Sequence, residues 1–400
     1  MIKNVLAKRI TSISPSLTLA ISAKAKSMKA AGEKVISFGV GEPDFNTPDY
    51  IIAAAEEALQ KGFTKYTPSS GMPDLKHAIA AKFERDNGLS YEPSQIIVSN
   101  GAKHSIFNVC YALIDEGDEV VIPAPYWLTY PEIVKVCGGL PVIVKASKKT
   151  GFKITPEQLQ AAITPKTKLF IFNSPCNPTG AVYTEEEVRA LAAVCERAGI
   201  YVLSDEIYEK LVYGDVKPFS IAASSKYMKE HTITVNGVSK TYAMTGWRIG
   251  YLAAPKEIAK AIDSFQSHAT SNPNSIAQYA AVRALNSPEA QVDEMVARFA
   301  RRRLTMIERI SEFKGAYCII PDGAFYAMLY VKDFYGKKFD DRVITDSASF
   351  ADVLLDAAKV AVIPGAAFGA DECVRLSYSL SMEEMLEGLD RIDAFLMSLE

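Results

Sequence analysis

A lysine and an arginine follow one short apolar run and could act together on a small molecule. Lys240 comes shortly after the run Thr232–Val235, and Arg248 lies eight residues further on. The residues around Lys240 are small or apolar, so burial there would lower the pKa of the lysine and make its amine nucleophilic. Arg248 would add a permanent positive charge nearby. A single lysine is more often a solvated surface residue, so this hypothesis depends on the neighbours of Lys240.

An acid and a phenol follow a second apolar run. Asp205 lies two residues after Tyr201–Leu203, and Tyr208 follows three residues later. A carboxylate at the end of a buried strand needs a cationic partner or hydrogen bonds. Asp205 could therefore bind a cationic group of a ligand, or it could simply cap a helix.

Two turns of small residues, prolines and amides follow two further apolar runs. Gly101-Ala102-Lys103 opens a predicted helix, where small residues let backbone N–H groups approach an anion. Asn177 offers an uncharged amide within residues 173–180, where prolines and a glycine fix the backbone. Taken separately, each segment could be no more than a structural turn.

A third positive charge stands among apolar residues near the C-terminus. Arg375 lies between Val374 and Leu376 in the segment Cys373–Tyr378. A guanidinium in such surroundings can bind a carboxylate through two parallel hydrogen bonds. It can equally well make a structural ion pair, and the sequence leaves both possibilities open.

The elements that must position these residues alternate between short apolar runs and helical stretches from about residue 94, a pattern typical of parallel strands connected by helices. Thr184–Ala198 is the clearest helix, with Thr184 as N-cap, Glu187 three residues on and Gly199 at its end. Ligands bind beyond the carboxyl ends of strands in such sheets, so the candidate residues would meet at one edge. The predicted strands are Ile96–Val98, Glu119–Ile122, Leu140–Val144, Leu169–Phe172, Tyr201–Leu203, Thr232–Val235 and Tyr251–Ala254.

Both ends of the chain lie outside this alternation and predict a second, smaller domain. A chain of 400 residues exceeds what one hydrophobic core usually holds. The ends contain the predicted helices Leu17–Ala31, Glu294–Glu312 and Met382–Leu399 and the extended segment Val35–Phe38. We divide the chain into an N-terminal arm with part of the small domain (1–45), a large domain (46–290) and a small C-terminal domain (291–400).

Composition excludes several classes of function. A net charge of −3 and a pI near 6.0 give no basic surface for nucleic acid or an anionic membrane. No run approaches the roughly 20 apolar residues of a membrane helix. The six cysteines form no CxxC pair, so we expect neither a metal nor a disulfide framework, and the N-terminus lacks an apolar signal core. A reducing cytoplasm fits best. We interpret Arg301, Arg302 and Arg303 as a solvated surface.

Six segments follow one another along the chain: Gly41–Phe45, Tyr66–Pro68, Asn173–Gly180, Ser204–Tyr208, Ser239–Gly250 and Arg375–Tyr378. In this order, and over the chain from about Ser14 to the C-terminus, the sequence resembles the fold-type I, class I aminotransferases, and most closely their bacterial aspartate aminotransferase subgroup. This resemblance implies an α/β fold, with a large domain built on a mainly parallel seven-stranded sheet and a smaller α+β domain built from both chain ends. It also implies pyridoxal 5'-phosphate (PLP) as cofactor and ping-pong transfer of the amino group of aspartate to 2-oxoglutarate.

The resemblance implies roles at the ring of the cofactor. Lys240 would hold PLP as a Schiff base and, once released, move the proton of the substrate α-carbon. Asp205 would keep the ring nitrogen protonated, so that the ring can take up electrons. Tyr208 and Asn177 would bind the ring oxygen O3', and Trp127 would stack on the ring face.

It also implies how the phosphate and the substrate would be bound. The phosphate would meet the backbone of Gly101-Ala102-Lys103, Ser239 and Arg248, together with Tyr66 from a neighbouring subunit, so that the chain would form a homodimer with shared active sites. Arg375 would bind the α-carboxylate, helped by Gly41, Asn177 and Trp127. The family often has Ser or Thr three residues before the lysine, whereas this chain has Gly237, so one phosphate contact would be missing or replaced.

Specificity stays open at the level of sequence. Lys103 could meet a side-chain carboxylate by charge, and Ser16, Thr18 and Asn272 could do so by hydrogen bonds; Lys103 could also be a solvated residue. No second arginine matches a dedicated side-chain clamp. Prephenate, aromatic amino acids and alanine remain alternative substrates, and a PLP-dependent lyase is an alternative activity. A PLP-binding regulator would need a basic DNA-binding domain, for which the short N-terminal arm has no room.

Overall fold

The computed structural model describes residues 5–13, 17–288 and 290–400. Its strands are β1 (Ile36–Ser37), β2 (Ile96–Ser99), β3 (Glu119–Ala124), β4 (Leu140–Lys145), β5 (Thr167–Asn173), β6 (Tyr201–Asp205), β7 (Thr232–Gly237), β8 (Gly250–Ala253), β9 (Tyr317–Cys318), β10 (Tyr326–Tyr330), β11 (Lys338–Phe339), β12 (Arg342–Val343), β13 (Val360–Ala361), β14 (Ile363–Pro364) and β15 (Cys373–Ser377).

Helices connect most of these strands. They are α1 (Lys8–Thr11), α2 (Leu17–Ala30), α3 (Asp49–Gln60), α4 (Pro73–Asn87), α5 (Ala102–Leu113), α6 (Thr129–Val136), α7 (Pro156–Ala162), α8 (Glu185–Ala198), α9 (Lys226–His231), α10 (Lys256–Ala269), α11 (Ser275–Asn286), α12 (Ala290–Ser311), α13 (Ser347–Ala358) and α14 (Met382–Met397).

A seven-stranded sheet forms the centre of the larger part of the molecule, in the order β2-β8-β7-β6-β5-β3-β4. All seven predicted strands belong to it, so the mainly parallel sheet is confirmed. Strands β3 to β7 run parallel, whereas β8 is antiparallel to both of its neighbours. The loop 238–249 explains this reversal, because it holds only a short 3-10 turn and no crossover helix that could return the chain to the start of the sheet.

Helices cover both faces of this sheet. Along β2, Ile96 and Val98 pack into a cluster with α3, α4 and α11, while Ile97 between them packs with α5 and α10 on the opposite face. Alternate side chains of a strand point to opposite faces, so a strand that is apolar throughout must be covered on both. The central strands of the sheet are therefore buried on both faces, whereas the edge strand β4 is partly exposed. The strand ends are where polar residues can gather.

Helix α8 shows how local sequence sets its limits. The Thr184 hydroxyl accepts a hydrogen bond from the backbone N–H of Glu187, and the Glu187 side chain accepts one from the backbone of Thr184. At the other end Gly199 adopts a left-handed conformation with φ of 69°. The predicted start and end of this helix are thus confirmed.

The chain ends meet in a smaller α+β region. The parallel pairing of β1 with β13 joins residues 36–37 to residues 360–361, next to a four-stranded antiparallel sheet in the order β14-β15-β10-β9. Phe38 of the N-terminal segment packs into one apolar cluster with residues of α12, α13 and α14. The exact division at residues 45 and 290 stays a prediction.

The arginines at 301–303 do not form one solvated surface, so that prediction is wrong. Arg301 is exposed, but Arg302 is 9% exposed and donates two hydrogen bonds to the Asp44 carboxylate at 2.7 and 2.8 Å. Arg302 lies at helical spacing from the buried residues Phe299 and Met306 and therefore shares their face of α12. A run of like charges hides this periodicity from a reading of the sequence alone.

Within the described residues, no helix is long and apolar enough to cross a membrane. The same part of the chain contains no group of three or more His, Cys, Asp and Glu side chains that could bind a metal ion. The six cysteines are free thiols.

Candidate active site

A cavity of about 310 Å³ lies where the carboxyl ends of β5, β6 and β7 face the smaller region. Polar side chains from both regions line it, which is the placement expected for a ligand site in a parallel sheet. Of the residues singled out in the sequence, the wall contains Thr18, Gly41, Ala102, Lys103, Trp127, Asn177, Asp205, Tyr208, Ser239, Lys240, Arg248 and Arg375.

Lys240 projects into the cavity from the loop after β7. Its Nζ donates a hydrogen bond to the carbonyl oxygen of Gly41 at 2.6 Å. Burial, together with the positive charges of Arg248 and Arg375, lowers the pKa of Lys240 to about 8, although the charges of Glu42 and Asp205 oppose this. Near neutral pH the amine is therefore uncharged far more often than that of an ordinary lysine, as a nucleophile requires.

Asp205, the last residue of β6, is 3% exposed. Its Oδ2 accepts a hydrogen bond from the Tyr130 hydroxyl at 2.7 Å, and Oδ1 accepts one from the backbone N–H of Ile207 at 3.3 Å. Burial raises the pKa of Asp205 to about 6, although both hydrogen bonds and the charge of Lys240 oppose this. Asp205 does not cap a helix, because the chain after it forms turns and the next helical turn begins at Ile221.

Arg375 comes from the opposite side of the cavity and is 5% exposed. It donates hydrogen bonds to Oδ1 of Asn177 at 2.9 Å and to the carbonyl oxygen of Gly39 at 3.2 Å, while its Nε lacks a partner. The guanidinium lies 4.4 Å from the ring centre of Tyr326. No carboxylate of the described chain pairs with Arg375. A buried cation with an unsatisfied donor is strongly disposed to bind an anion.

An anion cradle closes the far end of the cavity. Gly101 is the N-cap of α5, and Arg248 donates hydrogen bonds to the carbonyl oxygens of Thr245 at 2.9 Å and Asn100 at 3.2 Å. The Arg248 backbone itself is left-handed, with φ of 59° and ψ of 47°. The helix N-terminus and the guanidinium both attract negative charge to this point.

Glycines let the backbone segments of this cradle approach one another. A Cβ added at Gly250 would lie 2.1 Å from the backbone N of Ala102. One added at Gly101 would lie 2.4 Å from Nη2 of Arg248, and Gly101 has a positive φ of 88° as well. At Gly237 a Cβ would lie 3.0 Å from both Gly250 Cα and Ile249 O, so a serine or threonine at this position would crowd the backbone.

Other predicted contacts fall at or beyond the rim. Lys103 Nζ lies 4.8 Å from the ring centre of Trp127, and burial, followed by the charge of Arg248, lowers the pKa of Lys103. Asn272 does not line this cavity; its side-chain amide donates to the carbonyl oxygen of Pro273 at 2.7 Å. Tyr66 is 91% exposed and does not line the cavity of its own chain. Ser16 lies outside the described residues.

Two tyrosines at the site were missed by the sequence analysis. Tyr130 bonds to Asp205, and the Tyr326 hydroxyl lies 3.0 Å from that of Tyr208 while its ring packs on Arg375. The spacing of Tyr130 three residues after Trp127 could have indicated a second aromatic residue on the same side of a helix. Tyr326 has no such signal, because it reaches Arg375 only through the pairing of β10 with β15.

The family model for aminotransferase class I and II matches residues 33–392 of the chain. The chain belongs to this family. It is 50% identical over 391 residues to an aspartate aminotransferase of Geobacillus stearothermophilus, with 98% of each chain covered. It is 48% identical to an aspartate/prephenate aminotransferase of Cereibacter sphaeroides, again with 98% of each chain covered.

The structure of the aspartate aminotransferase from Rhizobium meliloti superimposes on this aminotransferase with a TM-score of 0.96 at 44% identity, over 99% of this chain and 100% of that one. The fold is therefore that of the fold-type I enzymes, and the cofactor is PLP. When bound, PLP supplies a ring that takes up the electrons of a bond broken at the substrate α-carbon.

The cavity of this aminotransferase suits PLP in its donor set. A phosphate requires positive charge and N–H donors, which Arg248 and the N-terminus of α5 supply. A pyridine nitrogen requires an acid, and Asp205 is the buried carboxyl in the wall. The lysine amine stands between these two ends, and the unsatisfied Nε of Arg375 leaves a donor for a second anionic group.

Proposed function

We propose that this aminotransferase moves the amino group of L-aspartate to 2-oxoglutarate. The observation that carries the proposal is that the cavity holds two cations besides Lys240 and the Arg248 of the anion cradle, and that neither of these two, Arg375 and Lys103, forms an ion pair within the described part of the chain. Aspartate, glutamate and 2-oxoglutarate each carry two carboxylates. A substrate with both charges would satisfy both cations, whereas alanine would leave one of them unsatisfied.

The following roles of individual residues support this proposal. Lys240 would act as the covalent anchor of the cofactor and would carry the proton removed from the substrate α-carbon, because its lowered pKa of about 8 suits it to both giving and taking a proton near neutral pH. Asp205 would bind the protonated ring nitrogen. Tyr208 and Asn177 would donate to the ring oxygen, and Trp127 would cover the ring face.

Different residues would bind the two anionic groups, the phosphate of the cofactor and the α-carboxylate of the substrate. Ser239, Arg248 and the N–H groups of Gly101-Ala102-Lys103 would bind the phosphate. Arg375 would bind the α-carboxylate, with Asn177, Gly41 and Trp127 beside it. The neighbouring backbone leaves little room for a side chain at Gly237. We therefore propose that this position contributes no side-chain contact to the phosphate.

We also propose a homodimer in which Tyr66 reaches the partner's site. A tyrosine that is 91% exposed, together with the exposed apolar residues Val5 and Leu6, leaves apolar surface that a second copy would cover. Six free thiols are consistent with a reducing cytoplasm, where we place the protein.

A substrate panel tests the proposal directly. Each amino acid is supplied with 2-oxoglutarate to the purified, PLP-loaded enzyme, and both products are followed. We expect aspartate and glutamate to be used best, and no turnover by Lys240→Ala. Lys76→Ala is the matched control, because Lys76 is also a lysine whose pKa burial lowers, but it lies outside the cavity.

Two results would contradict the proposal. A preference for alanine or an aromatic amino acid would overturn the assignment of aspartate, and consumption of an amino acid without any 2-oxo acid would indicate a lyase. Prephenate is a second candidate acceptor, favoured by the relative that acts on aspartate and prephenate. Because prephenate also carries two carboxylates, it is included in the panel.

A further inference from the structure

The segment Gly39–Thr47, which we call the strap, belongs to no helix or strand, and its residues Gly39 and Gly41 line the cavity. Two of its backbone carbonyl oxygens meet cations of the site. Gly39 accepts a hydrogen bond from Arg375, and Gly41 accepts one from Lys240. The backbone just before the strap is fixed, because the Phe38 N–H donates to the carbonyl oxygen of Ala361 and the Phe38 carbonyl oxygen accepts from the N–H of Ser377. From Gly39 onward no ladder of backbone hydrogen bonds continues, so the side-chain contacts of the strap help to determine where the Gly39 and Gly41 carbonyls lie.

The strap is anchored most firmly at Asp44. Both oxygens of this carboxylate accept hydrogen bonds from Arg302 of α12, at 2.7 and 2.8 Å, and the two side chains are 28% and 11% exposed. A bidentate, partly buried pair fixes direction as well as distance. The next residue, Phe45, packs edge-on against Phe299 of the same helix with ring centres 5.2 Å apart.

The other anchors of the strap are separate hydrogen bonds, two at Glu42 and two at Thr47, whose hydroxyl also accepts one from Nε1 of Trp247 at 2.9 Å. Ser379 donates to the backbone oxygen of Glu42 at 2.5 Å, and Thr245 donates to the Glu42 side chain at 2.7 Å. Thr47 donates to the carbonyl oxygen of Ala243 at 2.8 Å. The Asp44–Arg302 pair differs from these contacts because two parallel, charged hydrogen bonds join one planar carboxylate to one planar guanidinium, so it restrains the orientation of the strap most strongly.

We propose that Asp44 and Arg302 are positioning residues for substrate binding. By fixing the strap, they hold the Gly39 carbonyl that orients the Arg375 guanidinium toward the α-carboxylate. Neither residue lines the cavity, so they act through the strap and not by touching substrate. This inference rests on the proposed role of Arg375.

The test compares Arg302→Gln and Asp44→Asn with wild-type enzyme loaded with PLP. We expect KM for both aspartate and 2-oxoglutarate to rise about tenfold and kcat to fall less than threefold, because the carboxylate-binding arginine loses its orientation. The affinity for PLP and the rate of reaction with hydroxylamine, which has no carboxylate, should stay within about twofold. A purely structural role would not produce this split.

The matched control is Arg298→Gln. Arg298 lies one turn earlier on α12 and 5.6 Å from the ring centre of Phe45, but its ion pair is with the exposed Glu294 of the same helix. Its KM values should therefore stay within twofold of wild type. Arg302→Lys keeps the charge without the two-point geometry and should fall between wild type and Arg302→Gln.

The double variant Asp44→Asn/Arg302→Gln tests whether the two residues act as one pair. If the two residues act as one pair, its KM should match that of either single variant, whereas multiplied effects would overturn the proposal. The proposal would also be overturned if KM rose by the same factor by which PLP affinity and the hydroxylamine rate fell, because such equal changes would indicate general loosening of the fold. Failure of the proposed function would instead appear in the wild-type enzyme, as failure to use aspartate.

Discussion

Asp205 is held at a cost in stability when no ligand compensates its charge. An aspartate in an unfolded chain has a pKa of about 3.8, whereas burial raises the pKa of Asp205 to about 6 in the folded protein. The folded protein therefore binds this proton more tightly than the unfolded chain does. The contribution of Asp205 to the free energy of unfolding is therefore most favourable below about pH 4 and is lost as the pH rises through about 6. A shift of this size corresponds to about 3 kcal/mol.

We therefore predict that Asp205→Asn removes this loss in the cofactor-free protein. Relative to wild type, the variant should gain about 3 kcal/mol of unfolding free energy between about pH 4 and pH 7, measured by urea denaturation. Glu206→Gln is the control, since burial and the charge of Glu209 raise the pKa of Glu206 to about 7. Its effect should appear at higher pH, and coincident profiles for the two variants would contradict the assignment.

Lys103 provides the test of specificity at the level of one residue. A charge-assisted hydrogen bond to the second carboxylate contributes roughly 1.5–3 kcal/mol, so Lys103→Ala should lower kcat/KM for aspartate by about one to two powers of ten. Alanine, which has no second carboxylate, should lose less. Equal losses for the two substrates in steady-state assays would mean that Lys103 serves only the cofactor.

The sequence predicts the position of a single residue well where that position depends on neighbouring residues in the chain. Lys240 and Asp205 were located because each follows an apolar strand, and the end of a strand determines the edge of the sheet at which a residue lies. Tyr326 and the pairing of Arg302 with Asp44 were not predicted. Each of these contacts joins residues far apart in the chain, and nothing in the intervening sequence encodes the strand register or the helix face that brings them together.

At the scale of an element, the close approach of β8 to the N-terminus of α5 leads to a prediction about cofactor binding. In Gly250→Ala the new Cβ would lie 2.1 Å from the backbone N of Ala102, so the N-terminus of α5 must move. We expect the affinity for PLP to fall roughly tenfold or more, because backbone, unlike a flexible side chain, yields only at substantial cost. Titration of the cofactor-free protein with PLP measures this.

Gly246→Ala serves as the control for that experiment. It lies in the loop 238–249 before β8, but no heavy atom comes within 4 Å of its added Cβ. Its PLP affinity should stay close to that of wild type. If both variants lose affinity equally, flexibility of the loop matters and the close approach at Gly250 does not.

Elements were predictable in position but not in direction. Apolar runs indicated all seven strands of the sheet, because a strand buried on both faces is apolar throughout and the partly exposed edge strand β4 is still mostly apolar. They could not indicate that β8 runs antiparallel, because the pattern of side chains is the same in either direction. The direction follows from the connection between β7 and β8, whose lack of a helix is visible only in the structure.

At the scale of the whole molecule, we predict that two inactive variants restore activity to each other. Tyr66→Ala and Lys240→Ala subunits, mixed and reassembled, should form hybrid dimers with one intact site, giving up to about a quarter of wild-type activity. The exposure of Tyr66 in a single chain motivates this prediction. Reassembled hybrids, demonstrated by differential tags, that show no activity would argue against sharing of Tyr66.

The left-handed backbone of Arg248 lowers the stability of the folded protein, while its side chain serves cofactor binding. A side chain in that conformation costs roughly 1–2 kcal/mol, which glycine avoids. Arg248→Gly and Arg248→Ala both remove the guanidinium, yet only the glycine variant relieves the strain. The cofactor-free glycine variant should therefore melt at the higher temperature of the two while binding PLP equally weakly. Selection for stability of the cofactor-free protein alone would thus favour glycine at this position, whereas binding of PLP, which stabilises the folded protein, favours the arginine.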